Sequence, residues 1–359
     1  MKNIRRFTAL FLCFAALAFL FSSCSSFATA SFLTYRDQTV PQAIFQYLCC
    51  VEKTNYLYEL YGADRSTTKA SSLQDSPAIW TAADADGKTM GEHLKENVLD
   101  SLRVMVYLAQ YGVDEGYTLS ASDEASVKKN LDSLAANFNT KSEFNELIAQ
   151  YGVDYDLLYE YYLLQARASI GNYMLFGDNG KMAVTDAKVR EYYSSHYQTV
   201  RLILINNQSR TYPNGKTVYL PEDEKERKTA LADEILEKLK AGEDYAALCR
   251  AYSDGYTDEE TIASGFTFKS GDDAARLWEK SIPSDAKNGE WMKIETEGGI
   301  FLIAKAALDQ TKLDAEKDSI SDELENELKK ELADSVSSEM NVDREYLDSV
   351  SVADLVHAQ

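Results

Sequence analysis

"LADEILEKLKAGEDYAALCRAYSDG" (231–255) is a pair of amphipathic helices with a turn between them. Leu231, Ile235, Leu236 and Leu239 share one face of a helix that spans 222–240, and Tyr245, Leu248, Cys249 and Tyr252 recur at i, i+3, i+4 and i+7 of a second. Each helix therefore has one face to bury. Ser253-Asp254-Gly255 closes the second, Gly255 being expected to take the positive φ that commonly ends a helix. Nothing in the stretch is chemistry by itself, so its meaning depends on what flanks it.

Strands flank it. "VRLILI" (200–205) is apolar on both faces, as a central strand is, and "RTYPNGKTVYL" (210–220) reads as a hairpin about Asn214-Gly215. Beyond the helix pair come "GFTF" (265–268), a short helix near 272–281, and the strands "EWMKI" (290–294) and "GIFLIAKA" (299–306), joined through Gly298-Gly299. The order β-α-α-β-α-β-β defines a compact α+β domain over 199–308.

The segment before it, 31–198, is helical, with patterns at 41–61, 89–111, 122–138, 141–151 and 154–175. In the second of these Met90, Leu94, Val98, Leu102, Met105 and Ala109 share a face, and Gly112 is expected beyond its end. "AQYGVD" occurs at 109–114 and again at 149–154, each time after an apolar helix, and reads as a repeated helix stop. The segment 309–359 opens with an acidic helix, 314 to about 339, whose stripe of Ile320, Leu324, Leu328, Leu332 and Val336 needs a partner surface. Packing of that stripe on the upstream helices would make the α+β domain an insertion between two parts of one helical domain.

A chain of 359 residues with 45% hydrophobic and 26% charged residues is ordinary globular usage, long enough for roughly two cores. Its net charge of −21 repels phosphate backbones, which argues against nucleic acid as a partner. The first thirty residues are a leader: Lys2, Arg5 and Arg6 precede the apolar run "FTALFLCFAALAFLF" (7–21), so the chain is exported. Two endings compete. "FSSC" puts Cys24 where a lipoprotein leader carries its acylated cysteine, and "ATA" (28–30) is a plain A-x-A cleavage site; the motifs favour lipidation of Cys24 and a membrane-anchored chain. Cys49, Cys50 and Cys249 fall on apolar helix faces and read as small core residues, without a disulfide framework.

With these elements in place, 231–255 resembles the signature of the parvulin family of peptidyl-prolyl isomerases, in which a "GEDF"-like turn and a "YSD" helix end follow the first strand. "VTDAKVREYY" (184–193) is similar to the segment that leads into that domain in PrsA- and SurA-type foldases, and "KSEFNELIAQYGVDYDLLYEYYLLQ" (141–165) to their helical chaperone domain. The resemblance implies a chaperone domain carrying an inserted isomerase domain, clients that are unfolded or secreted polypeptides, and a lipid anchor. It calls for no cofactor and no metal. It also assigns site residues: Trp278 and Phe268 to the apolar pocket for the proline ring, and Asp254 as a substitute for the acidic or cysteine residue whose place is taken by Gly255.

The departures are as informative. Where the family has a histidine in its first strand and another in its last, this chain has Leu202 and Phe301, and its three histidines, His93, His196 and His357, lie outside the domain. Ala274 replaces the usual methionine of the pocket. Turning an X-Pro bond means lowering a barrier of about 20 kcal/mol with groups that favour the twisted amide; a pocket that binds both states equally accelerates nothing. A degenerate isomerase domain on a working chaperone is therefore expected. The alternatives are an isomerase using other groups and an envelope lipoprotein that holds one specific partner.

Two further motifs carry no chemistry. "NGKT" (214–217) lacks the upstream glycine of a phosphate-binding loop, and "DADG" (84–87) lacks the first and last ligands of a calcium loop, so both are turns.

Overall fold

The computed structural model describes residues 30–211 and 216–356. Cys24 and the Asn214-Gly215 turn lie outside the described residues. The chain divides into two compact units, one of Met1–Ala183 with Glu325–Gln359 and one of Val184–Leu324. The architecture is α+β, as the order of patterns implies.

The first unit begins with an antiparallel hairpin that the sequence patterns do not announce, β1 (Ser31–Tyr35) and β2 (Gln38–Pro41), turning at Arg36 with φ +50. Such short strands offer too few alternations to stand out beside a leader. Helices α1 (Gln42–Leu60), α2 (Pro77–Thr81), α3 (Met90–Asp114), α4 (Ala121–Ala135), α5 (Lys141–Ala149) and α6 (Tyr155–Phe176) follow. Their starts are legible as caps: Thr89 and Glu92 form a reciprocal capping box on α3, Ser120 and Asp123 another on α4, and Asp154 accepts from the Leu157 amide at the start of α6.

The two "AQYGVD" copies do different work. The second behaves as a stop, since α5 ends at Ala149, Gly152 takes φ +82 and Asp154 caps α6. The first stops nothing. Helix α3 runs through Gly112 to Asp114, because at this point α3 and α6 cross almost backbone to backbone: Gly112 is buried and faces the Gly171 amide, and a Cβ built on Gly171 would stand 1.9 Å from the Leu108 carbonyl oxygen. Gln110 of the same copy is buried and accepts from the Asp37 amide and the Gln38 side chain, both at 3.2 Å. Tertiary packing, which a local pattern does not contain, overrides the stop signal.

The second unit opens with α7 (Asp186–His196), which leads directly into β3 (Tyr197–Ile205), and then the small hairpin β4 (Ser209–Thr211) and β5 (Thr217–Tyr219). Helices α8 (Glu222–Lys240), α9 (Tyr245–Tyr252) and α10 (Glu259–Ser264) precede β6 (Phe266–Lys269), β7 (Trp291–Thr296) and β8 (Gly299–Ala306). The antiparallel sheet has the order β6-β3-β8-β7. Its centre is β3, which explains the apolar residues on both faces of "VRLILI". Ile203, Ile205, Ile300 and Leu302 face α8 and α9, whose stripes of Ile235, Leu236, Leu239, Tyr245, Leu248 and Cys249 cover them. Two expectations fail here. Residues 272–281 form turns and a short 3-10 element, Glu279–Ser281, in place of an α-helix. Gly255 does not take the positive φ; that conformation falls to Tyr256 at φ +58, while α9 ends in extended backbone at Ser253.

Helix α11 (Leu313–Ser335) runs through the division at 324/325: Leu313 and Ile320 belong to a cluster with Val189, Tyr192 and Tyr193 of the second unit, whereas Leu328, Leu332 and Val336 pack on the core of the first. The chain then returns to the first unit. Strand β9 (Asn341–Val342) pairs with β1 to complete a sheet of order β2-β1-β9, and α12 (Arg344–Ser349) follows it. All three described cysteines are free and buried; burial pushes the Cys49 thiol up and the Cys50 thiol up to about 12, so both are protonated core residues at neutral pH. Among the described residues no helix is long and apolar enough to cross a membrane.

Candidate functional site

The face of the sheet turned away from α8 and α9 carries the residues singled out in the sequence. Because side chains alternate along a strand, Val200 and Leu202 of β3 and Phe301 and Ile303 of β8 share this face. The register pairs Leu202 with Ile303 and Leu204 with Phe301, which makes the two family histidine positions diagonal neighbours on one face, two rungs apart. Both are buried. Here they contribute hydrocarbon and a phenyl ring.

Above them sits the turn segment 272–281, which delivers Trp278. Its side chain is 0% exposed, and its ring meets Phe268 at 5.1 Å and 79°, Phe301 at 6.2 Å and Phe266 at 6.3 Å. Tyr256 closes the rim: its ring stands edge-on to Phe266 at 5.1 Å, and its hydroxyl donates to the Ala274 carbonyl at 3.4 Å. The indole Nε1–H of Trp278 is buried without a hydrogen-bond partner among the described protein atoms. The result is an aromatic box over an aliphatic floor.

Phe268 and Trp278 are thus in ring contact, and Asp254 lies apart from them at the end of β3. The Asp254 amide donates to the Leu204 carbonyl at 2.7 Å, and its carboxylate accepts from the Asn206 amide at 2.8 Å and from Lys228 Nζ of α8 at 2.9 Å. Ser253 Oγ accepts from the Leu204 amide at 3.0 Å and donates to the Gly255 carbonyl at 2.5 Å. The "YSDG" motif is therefore spent on docking the end of α9 against β3. Behind the sheet, Tyr245 donates to the Leu202 carbonyl at 3.3 Å, and burial pushes both its hydroxyl and the Cys249 thiol up in pKa, which leaves them protonated at neutral pH. His196 stacks on Tyr192 at the end of α7, and His93 pairs with Asp84 at 2.6 Å in the first unit, so neither belongs to the box.

Phe266 and Tyr256 are the members that sequence reasoning misses. Phe266 had a signal, since the alternation Phe266-Thr267-Phe268 puts both rings on one face. Tyr256 had none: a left-handed backbone at a tyrosine is rare enough that no local pattern announces it. Trp278, Phe268 and Phe301 are buried against one another, so the box is a packed apolar cluster.

Residues 189–311 match the family model described as the PPIC-type PPIASE domain. The second unit is a parvulin-type domain. The chain is similar to the foldase protein PrsA of Caldanaerobacter subterraneus subsp. tengcongensis, 25% identical over 175 residues that make up 49% of this chain and 44% of that protein. The chain therefore matches less than half the length of this relative. Among solved structures, it is similar to PrsA from Bacillus cereus at 18% identity and a TM-score of 0.31, covering 78% of this chain and 95% of that one. A SurA-like chaperone from Campylobacter jejuni is similar at 15% identity and a TM-score of 0.21, covering 75% of this chain and 97% of that one.

Proposed function

We propose that this protein is an exported PrsA-like foldase whose helical unit holds unfolded secreted chains and whose parvulin-type unit binds apolar segments without turning over X-Pro bonds efficiently. The observation that carries the reading is that Leu202 and Phe301 share one sheet face, at the positions where the family places histidines. Rate enhancement needs polar groups aimed at charge that develops in the transition state, and losing one such donor costs about 100- to 1,000-fold. An aromatic box with a single indole N–H offers binding without that discrimination. Trp278 and Phe268, 0% and 3% exposed, are the proposed client-contacting residues of this unit once the cluster over them opens, and Asp254, apart from them and held by Asn206 and Lys228, is a separate candidate contact.

The division of labour has a direct test. Replacing 199–308 by a short flexible linker is expected to leave a cooperatively folded helical protein that still suppresses aggregation of an unfolded client, because the first unit has its own core and its own returning helix. If that variant folds and holds nothing while the isolated 199–308 domain does, the roles are reversed.

For anchoring we favour acylation at Cys24. Strand β1 begins at Ser31, and the Ala30 carbonyl accepts from the Gln42 amide at 2.8 Å, so cleavage after "ATA" would cut at the first hydrogen bond of the folded unit. Two acyl chains at Cys24 give stable attachment where one is marginal. Mass spectrometry of the mature N-terminus is expected to find modified Cys24; an unmodified start at Ser31 would make the chain a released protein.

A further inference from the structure

The end of the described chain is held in the first unit by its backbone as well as by its side chains. Lys53 of α1 is 0% exposed, and its ammonium donates to the Leu355 carbonyl at 2.7 Å and the Ala353 carbonyl at 3.4 Å. Its third partner is Asp75 Oδ2 at 2.7 Å, and Asp75 is held in turn by the Trp80 indole N–H at 2.6 Å. The Trp80 ring centroid lies 5.3 Å from the same ammonium. Lys95 of α3 donates to the Leu347 carbonyl at 2.9 Å. Only Val350 and Val352 of the last residues are buried, while Ser351, Asp354 and Val356 face outward.

The stretch just before is fixed differently. Asn341-Val342 pairs with β1, Asp343 accepts from Gln42 at 2.8 Å, and Tyr346 packs against Phe32 and Phe45. That anchor is specific to side chains and sheet register. Residues 350–356 are instead gripped at the Ala353 and Leu355 carbonyls by Lys53 and along short apolar side chains, Val350 and Val352 buried and Ala353 and Leu355 partly buried against the core, and the main-chain part of that grip is open to any sequence.

We propose that the groove between α1, α2 and α3 is a peptide-binding site, filled at rest by residues 350–356 of the same chain, and that an apolar segment of an unfolded client enters by displacing them. This rests on the foldase reading above. When 350–356 leave, Lys53 keeps Asp75 as its counter-ion, and its two other N–H groups face a site where acceptors are needed. Client carbonyls supply them whatever the client sequence. The covalently attached occupant competes at high effective concentration and so lowers the apparent affinity for clients.

Hydrogen exchange on the full chain tests this, with and without a reduced, carboxymethylated and permanently unfolded protein. Binding is expected to abolish protection of the amides in 350–356 while Asn341-Val342 stays protected. Client binding with unchanged protection in 350–356 overturns the proposal and leaves the foldase reading intact. A chain ending at Ser349 that remains folded is expected to bind this client about tenfold more tightly; weaker binding by a folded truncated chain contradicts the proposal. Failure of both the full and the shortened chain to bind overturns the foldase reading and this proposal with it.

Discussion

Gly171→Ala is expected to unfold the helical unit. Helices α3 and α6 cross with so little separation that the added Cβ would sit 1.9 Å from the Leu108 carbonyl oxygen and 2.7 Å from its carbon, both backbone atoms that cannot swing aside. Relief requires the helices to move apart along their contact, which exposes Leu102, Val106 and Ala109 of α3 to imperfect packing. We expect a loss of about 4 kcal/mol or more, a large part of the stability of an ordinary domain. Gly116→Ala is the control, since its φ of +84 is strained for alanine but nothing lies within 4 Å, and it should cost only about 1 kcal/mol. Chemical unfolding followed by circular dichroism separates the two; parent-like unfolding of Gly171→Ala would mean that the crossing is looser than described.

Lys53→Ala is the second large effect. Removing the ammonium takes the cation from Asp75, whose side chain is only 17% exposed and which keeps the Trp80 indole N–H, and leaves the Ala353 and Leu355 carbonyls without this donor. Breaking a buried pair from one side typically costs about 3–5 kcal/mol, most of it from the charge left behind. Lys53→Met keeps the hydrocarbon stem and should lose nearly as much, whereas adding Asp75→Asn to it should recover part of the loss. The quantity to compare is the urea midpoint at unchanged m-value. Equal midpoints for Lys53→Ala and the parent would show that the pair contributes nothing.

How far the sequence leads can be judged element by element. Helix α8 is legible to its last residue because its apolar stripe, its Pro221 entry and its Gly242 exit agree. The same holds for β3, where continuous apolar character marks a strand covered on both sides. The hairpin β1–β2 and strand β9 are not legible, since β9 is two residues long and acquires its meaning only by pairing with a strand some three hundred positions earlier. Gly112 misleads for the same reason: its role is set by Gly171, a non-local partner. For the site, Trp278, Phe268, Leu202 and Phe301 converge on one sheet face as their positions in the resemblance imply. The commitment of Asp254 to Lys228 and Asn206 depends on how α8 lies over the end of β3, which no local pattern encodes.

The direct measurement is the rate at which the purified mature chain isomerises an X-Pro bond in a short unfolded peptide, compared with an intact parvulin at equal concentration. With Leu202 and Phe301 in place of the histidine pair, we expect a rate at least about 100-fold below the parvulin, unchanged by Trp278→Phe, while the same preparation suppresses aggregation of an unfolded client. A parvulin-like rate that Trp278→Ala abolishes in a still-folded chain would contradict this, and would place a working active site in the aromatic box.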